Sequence, residues 1–172
     1  MDSIAGLPAH PLIVHAVVVL VPLAALGALA ALLLPRVRGQ IGWYVAAAAV
    51  LNVVLVPLAT SSGESLEHRV SETAELEKHT DMAEGLMPFV LALAVGAVAL
   101  MLIDRYRRRQ GAVEGASRSL LTAPWVAIVV AVVVGLGGVG SLVQTLRIGH
   151  SGASATWDDT PTSDTGGAQG DD

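Results

Sequence analysis

Four long apolar segments alternate with shorter polar connections along this chain. The apolar segments extend over residues 11–34, 41–60, 86–103 and 124–146. Each has about 18 to 24 residues, and about 20 residues of α-helix are enough to cross the hydrocarbon core of a membrane. Backbone groups in lipid must satisfy one another's hydrogen bonds, and the alternating pattern of a membrane β-barrel is absent. The pattern therefore predicts an all-α membrane protein whose residues 1–148 form a four-transmembrane-helix bundle.

The charges of the three connections predict how the helices are oriented. Seven arginines lie in the first and third connections, whereas residues 61–85 between the second and third segments carry seven acidic and only two basic residues. Because basic loops stay in the cytoplasm, both termini and residues 61–85 are expected outside (N-out/C-out). Residues 64–84 contain no internal glycine or proline, so this acidic outer loop is predicted to be helical and able to continue into the third span. Aromatic residues typical of a membrane interface mark the arginine-rich ends of the spans: Trp43, Tyr44, Tyr106 and Trp125.

The composition agrees with a multi-pass protein of the cell membrane. Of the 172 residues, 53% are hydrophobic and 15% are charged, whereas about a quarter are charged in a typical soluble domain. The absence of cysteine excludes disulfides, thiolate metal ligands and iron–sulfur clusters. A cleaved signal peptide is the alternative for the first segment, but Met1-Asp2-Ser3 lacks a positive charge and the apolar run is unusually long. Residues 149–172 are small, polar and acidic, which predicts a disordered tail.

Histidines are the main candidates for chemistry. All five are expected on the outer side, and imidazoles at the mouth of a helical bundle can bind a metal ion or haem iron. His15 and His79 are the first choice as a pair of axial ligands, with His10 and His150 as alternatives. Histidines that only bond lipid headgroups or water are the competing interpretation. His15 shares a helical face with large apolar residues, which would turn it toward lipid.

A second candidate site lies in the outer loop. His68, Glu72, Glu75 and His79 follow one another at spacings that place them on one face of a helix. Imidazoles and carboxylates one turn apart can bind zinc, copper or iron. The alternative is a charged face in contact with water, because a small apolar stripe occupies the opposite face.

A polar layer is predicted inside the spans, toward their outer ends. It consists of Asn52 in the second span and of Ser141 and Gln144 in the fourth. Polar groups in lipid are costly and are therefore candidates for function. The alternative is interhelical packing, because Gly137 and Ser141 form a small-xxx-small pair that lets another helix approach closely.

Several short motifs resemble those of a known family. They are Gly6-Leu7-Pro8, the segment from His10 to His15 (His-Pro-Leu-Ile-Val-His), residues 60–63, and His79 with Gly85. In these motifs, over about residues 5 to 147, the chain resembles the bacterial membrane proteins grouped as domain of unknown function 2231. The resemblance implies the four-helix topology and histidines at the outer face, and it implies no activity.

The sequence leaves two functions open. One is a membrane protein that binds b-type haem or a metal ion in a redox role, and the other is a non-catalytic partner or assembly subunit without a cofactor. No hydrolase motif or phosphate-binding loop is found, so catalytic activity of its own is not expected. A transporter would need polar residues through the full depth of the bundle. The protein is expected to lie in the lipid bilayer. A second copy of the chain and a membrane redox partner are the two candidate protein partners, and no binding to nucleic acid is expected.

Overall fold

The computed structural model describes residues 3–4, 7–67, 74–110 and 123–157, and side chains within residues 10–64, 78–110 and 123–153. A two-stranded antiparallel pairing that the sequence did not predict, β1 (Ser3–Ile4) with β2 (Leu7–Pro8), precedes the helices. The helices are α1 (Ala9–Leu33), α2 (Pro35–Glu67), α3 (Ala74–Glu84), α4 (Met87–Gln110) and α5 (Pro124–Trp157).

The predicted four-helix architecture is confirmed. Four helical stretches are long and apolar enough to cross a membrane: His10–Leu33, Pro35–Glu64, Lys78–Gln110 and Pro124–Ala153. Many large apolar side chains face outward, among them Leu23, Leu136 and Leu146. Outward apolar surface on all four long helices is the arrangement that lipid favours and water does not.

The four long helices pack in a ring. α1 contacts α2, α2 contacts α4, α4 contacts α5 and α5 closes the ring on α1, so that α1 and α4 lie diagonally opposite each other. Small residues dominate the centre, for example Ala25 and Ala49, which are fully buried. Small side chains allow close helix approach where lipid provides no hydrophobic driving force between helices. The short helix α3 packs on α5 at the end of the bundle where α1 begins, here called the histidine end.

The connection between the second and third spans is helical at residues 61–67 and 74–84. It does not continue straight into the third span. α3 ends at Glu84, and a turn at Gly85 and Leu86 precedes α4. Pro88 has no backbone N–H to donate to the carbonyl of Glu84, which favours a break at this point. The turn closes through the N–H of Gly85, which donates to the carbonyl of Asp81 at 3.3 Å.

The fourth span also extends further than expected. Residues 149–157 continue α5, whereas the sequence predicted a disordered tail from residue 149 onward. Composition alone misses the tertiary contacts of this segment: Ser151 bonds to His79, and Gly152 lies against the same imidazole. Residues 158–172 of the predicted tail lie outside the described residues.

We expect Gly137→Ala to destabilise the bundle by about 1–3 kcal/mol, the usual cost of overpacking. A methyl group at Gly137 would lie 2.8 Å from the backbone Cα of Leu93 on α4, which can yield only if the two helices separate. Gly135→Ala is the matched control, because nothing lies within 4 Å of that position. Thermal unfolding in detergent measures both variants. Equal melting temperatures for the two would contradict the packing of α4 on α5.

Candidate functional site

His10 lies in the first turn of α1 and contacts the last turns of α2. Its Nδ1 atom lies 2.9 Å from Oγ of Ser62. The Ser62 hydroxyl in turn donates to the carbonyl of Ala59 at 2.8 Å, the local bond back to the preceding turn that serine makes in helices. The ring is half-buried, and the serine holds it in a fixed position.

His79 repeats this arrangement on the opposite side of the bundle. It lies on α3, and its Nδ1 atom is 2.9 Å from Oγ of Ser151 on α5. The Ser151 hydroxyl donates to the carbonyl of Ile148 at 3.0 Å. Each histidine therefore has one serine partner, and each serine has one carbonyl acceptor in its own helix.

These bonds are compatible with a proton on Nδ1 of each histidine, and which group donates depends on the tautomer. When the single hydroxyl hydrogen of Ser62 and of Ser151 is donated to the backbone carbonyl, the serine oxygen accepts from the imidazole and Nδ1 carries the proton. In that tautomer the lone pair of the neutral ring lies on Nε2, which can bind a metal.

A glycine follows each of these serines and lets the imidazole approach the helix. A Cβ atom at Gly63 would lie 3.1 Å from Cε1 of His10, and a Cβ atom at Gly152 would lie 3.1 Å from Cε1 of His79. Any larger residue would press on the ring. Each histidine therefore contacts a Ser-Gly dipeptide in the same way.

The two histidines line one cavity, here called the histidine cavity. Its volume is about 340 Å³, within the range of small-molecule sites in proteins. The walls come from α1, α2, α3, the turn before α4 and α5, and they are mainly aliphatic. The aliphatic residues are Val14, Val17, Val18, Val56, Ala59, Ala83, Leu86 and Ile148, and the polar ones besides the histidines are Thr60, Thr80 and Thr145.

The two halves of the bundle have matching patterns of buried residues. The buried residues of α1 follow His10 at the same spacings at which Leu86 and the buried residues of α4 follow His79. The matched pairs are Val17 and Leu86, Val21 and Val90, Ala24 and Leu93, Ala25 and Ala94, and Ala28 and Ala97. α1 and α4 therefore present equivalent faces to the centre of the bundle.

The second helix of each half matches as well. Asn52 precedes Ser62 by the same number of residues as Ser141 precedes Ser151, and Asn52 and Ser141 are both buried. In this correspondence α1 matches α4, and α2 matches α5. A two-fold rotation about the bundle axis would exchange the two pairs and keep the ring order of the helices. Parallel repeats of this kind occur in other membrane proteins and place sites at the interface between the halves.

His15 and His150 do not join the cavity. His15 is exposed, and its Nδ1 atom lies 2.6 Å from the carbonyl of Pro11 in its own helix. His150 is also exposed and does not line the cavity. The structure thus brings His79 together with His10, and not with His15 as the sequence suggested. The reason is rotational: His15 follows His10 by five residues, which turns its side chain roughly 140° away from that of His10 around the axis of α1.

The candidate metal face of the outer loop is only partly described. His68 and Glu72 lie outside the described residues, and Glu75 belongs to α3 with its side chain outside them. Of that set, His79 alone has a described side chain, and it faces the histidine cavity. Within the described part of the chain, no three His, Asp or Glu side chains come together as a metal cluster.

The polar layer of the spans connects helices. Nδ2 of Asn52 donates to the carbonyl of Leu20 on α1 at 3.1 Å. Nε2 of Gln144 donates to the carbonyl of Met82 on α3 at 2.7 Å, across the turn at Gly85. Ser141 is buried at the matching position of α5. Asn52 and Gln144 therefore hold α1 and α3 in the positions that bring the two histidines to one cavity.

Sequence reasoning missed the two serines that orient the histidines. A signal was present: the dipeptide Ser-Gly occurs at Ser62-Gly63 and again at Ser151-Gly152, each time in the last turns of a long helix. The residues are separated from their histidines by 52 and 72 positions, so the pairing emerges only when the helices are packed.

Comparison with known proteins identifies a family. No curated protein and no solved structure matches the chain. One family does, under the description "Predicted membrane protein (DUF2231)", and the match extends over residues 6–163. That range includes all four membrane-spanning helices, both histidines of the cavity and both Ser-Gly pairs. This multi-pass membrane protein therefore belongs to the DUF2231 family.

Proposed function

We propose that His10 and His79 bind one redox-active iron between them, as b-type haem, in the histidine cavity. The supporting observation is the pair of Nδ1–serine hydrogen bonds, 2.9 Å at each histidine. With Nδ1 donating to the serine, each ring would keep its Nε2 lone pair for a metal. The protein would act in electron transfer, since haem iron changes its oxidation state when bound in this way.

The number of ligands favours haem over a bare metal ion. A structural zinc site takes four protein ligands and a catalytic one takes three, whereas the described residues that line the cavity include two imidazoles and no third His, Asp or Glu. Haem brings its own four nitrogen ligands and needs the protein only at the axial positions. The aliphatic walls also suit the apolar edge of a macrocycle. A transition metal ion bound by the two imidazoles is the alternative cofactor.

The serines have the role of outer-shell partners. Histidines that ligate metals usually donate their other ring N–H to an oxygen, which fixes both the tautomer and the ring orientation. Ser62 and Ser151 lie at hydrogen-bond distance from Nδ1 of the two rings, and Gly63 and Gly152 leave room for the rings. The chain thus holds two ligands ready, so that binding costs little reorganisation.

The content of the purified protein tests this proposal. We expect the full chain, extracted in mild detergent from cells supplied with iron, to carry about one haem for each chain (two axial histidines for one iron). The absorbance spectrum and elemental analysis measure haem and metal together. A colourless, metal-free preparation that takes up neither added haem nor transition metal ions would favour the non-catalytic partner role.

We also infer that the histidine end faces the outside of the cell, because the arginine-rich connections lie at the other end. The chain has no cysteine, so single cysteines report without interference. In intact cells, Glu64→Cys should react with a membrane-impermeant maleimide, and Arg107→Cys should react only after lysis. Both positions are exposed. The reverse pattern would show that the histidine cavity faces the cytoplasm.

A further inference from the structure

A second cavity lies at the opposite end of the bundle, between the start of α2 and the end of α4. It is here called the arginine cavity, and its volume is about 520 Å³. Its charged and aromatic lining residues are Arg38, Trp43, Asp104, Arg105, Arg108 and Arg109. Its floor forms where α2 and α4 approach closely, because Gly42 is buried directly against the side chain of Met101.

Positive charge is in excess in this cavity. Asp104 accepts a hydrogen bond from Nε of Arg108 at 2.7 Å, and its other oxygen lies 3.0 Å from Nε of Arg38. One carboxylate cannot neutralise the four guanidinium groups that line the cavity. Asp104 instead pairs with two of them, Arg38 from α2 and Arg108 from α4. Guanidinium groups match the oxygens of phosphate through paired hydrogen bonds.

The position of the cavity indicates the source of the phosphate. Trp43, whose side chain is about half-exposed, lines the cavity, and tryptophan is typical of the level at which lipid headgroups lie. Basic pockets between membrane-spanning helices bind phospholipid headgroups. We propose that the arginine cavity binds the phosphate group of an anionic phospholipid. Arg38 and Arg108 are the two lining arginines that pair with Asp104, and Arg105 and Arg109 add positive charge to the cavity.

Lipid retention by the purified full chain tests the proposal. Native mass spectrometry compares adducts of phosphatidylglycerol, which is anionic, with adducts of phosphatidylcholine, which is zwitterionic. We expect the wild-type chain to retain phosphatidylglycerol preferentially. Arg105→Gln with Arg109→Gln should reduce that preference roughly 10-fold or more, since it removes two of the four guanidinium groups that line the cavity and can pair with phosphate oxygens.

The matched control removes the same charge elsewhere. Arg107→Gln with Arg147→Gln neutralises two exposed arginines that do not line the cavity, and it should keep the wild-type preference. Competition by soluble glycerol phosphate at the same concentration would support the phosphate site and assign it a soluble ligand. An equal loss in both double variants would overturn the proposal. So would a wild-type chain that shows neither a preference for phosphatidylglycerol nor binding of glycerol phosphate.

Discussion

His10→Ala and His79→Ala should each abolish cofactor binding, and the two losses should be equal. Both histidines line the cavity, and among the described residues no other histidine does. The expected loss of affinity exceeds the roughly 10- to 100-fold that outer-shell partners contribute to metal sites. We expect similar losses because the two rings have the same serine bond and the same glycine contact. Haem and metal content per chain, measured after purification, gives the result.

His15→Ala is the control for this experiment. His15 is exposed on α1 only five positions after His10, and its ring bonds to its own helix. Its replacement should leave cofactor content at the wild-type level, and so should His150→Ala. Thermal unfolding of each variant separates loss of the ligand from loss of the fold. A His10→Ala variant that is folded and fully loaded would exclude His10 as a ligand.

Ser62→Ala and Ser151→Ala should weaken cofactor binding by roughly 10- to 100-fold each, the usual effect of an outer-shell partner. Without the serine oxygen, Nδ1 has lost its acceptor, so the ring is free to rotate and to take the other tautomer. Ser62→Thr should restore most of the affinity, because threonine keeps a hydroxyl that can bond back to the preceding turn. Titration of the cofactor-free protein measures the dissociation constants.

Ser61→Ala is the matched control for the serine variants. Ser61 is the neighbour of Ser62, and its hydroxyl donates to the carbonyl of Leu58 at 3.3 Å. Its replacement removes the same group from the same turn without removing the bond to His10. If Ser61→Ala weakened binding as much as Ser62→Ala, the effect would belong to the end of α2 as a whole and not to the orientation of the imidazole.

The four spans were predictable because their signal is local and redundant. Each consists of about 20 apolar residues, and no single substitution within it removes the pattern. The turn at Gly85 depends on fewer residues. Gly85 and Pro88 are residues that favour a helix break. The good helix formers of residues 64–84 instead predicted a helix able to continue into the third span. The extension of α5 was missed because Ser151 and Gly152 look like loop residues until His79 is packed against them.

The histidine pair was only partly predictable. Sequence spacing placed His79 and His10 among the candidates, and the helical wheel already turned His15 toward lipid. It could not show which histidine shares a cavity with His79, because that depends on the rotation of α1 against α2. The rotation is set by contacts such as the bond from Asn52 to Leu20, which join residues distant in sequence.

The match between the two halves of the bundle is difficult to see in the sequence, because the residue types differ. Val17 corresponds to Leu86 and Ala24 to Leu93, so matched positions share burial without sharing identity. Apolar residues of different size replace one another easily where lipid and neighbouring helices adjust. The polar positions are more informative, because His10 and His79 each bond to a serine at the matching place. The matching halves bring two histidines with the same serine bond to one cavity.

Titration of the cofactor-free 172-residue chain with haem decides whether His10 and His79 form a haem site. We expect saturation at about one haem per chain, with the absorbance spectrum of low-spin iron bound by two imidazoles. In His10→Ala and in His79→Ala the low-spin spectrum should be absent. The contradictory result is a wild-type protein that shows no saturable binding of haem or of any transition metal ion.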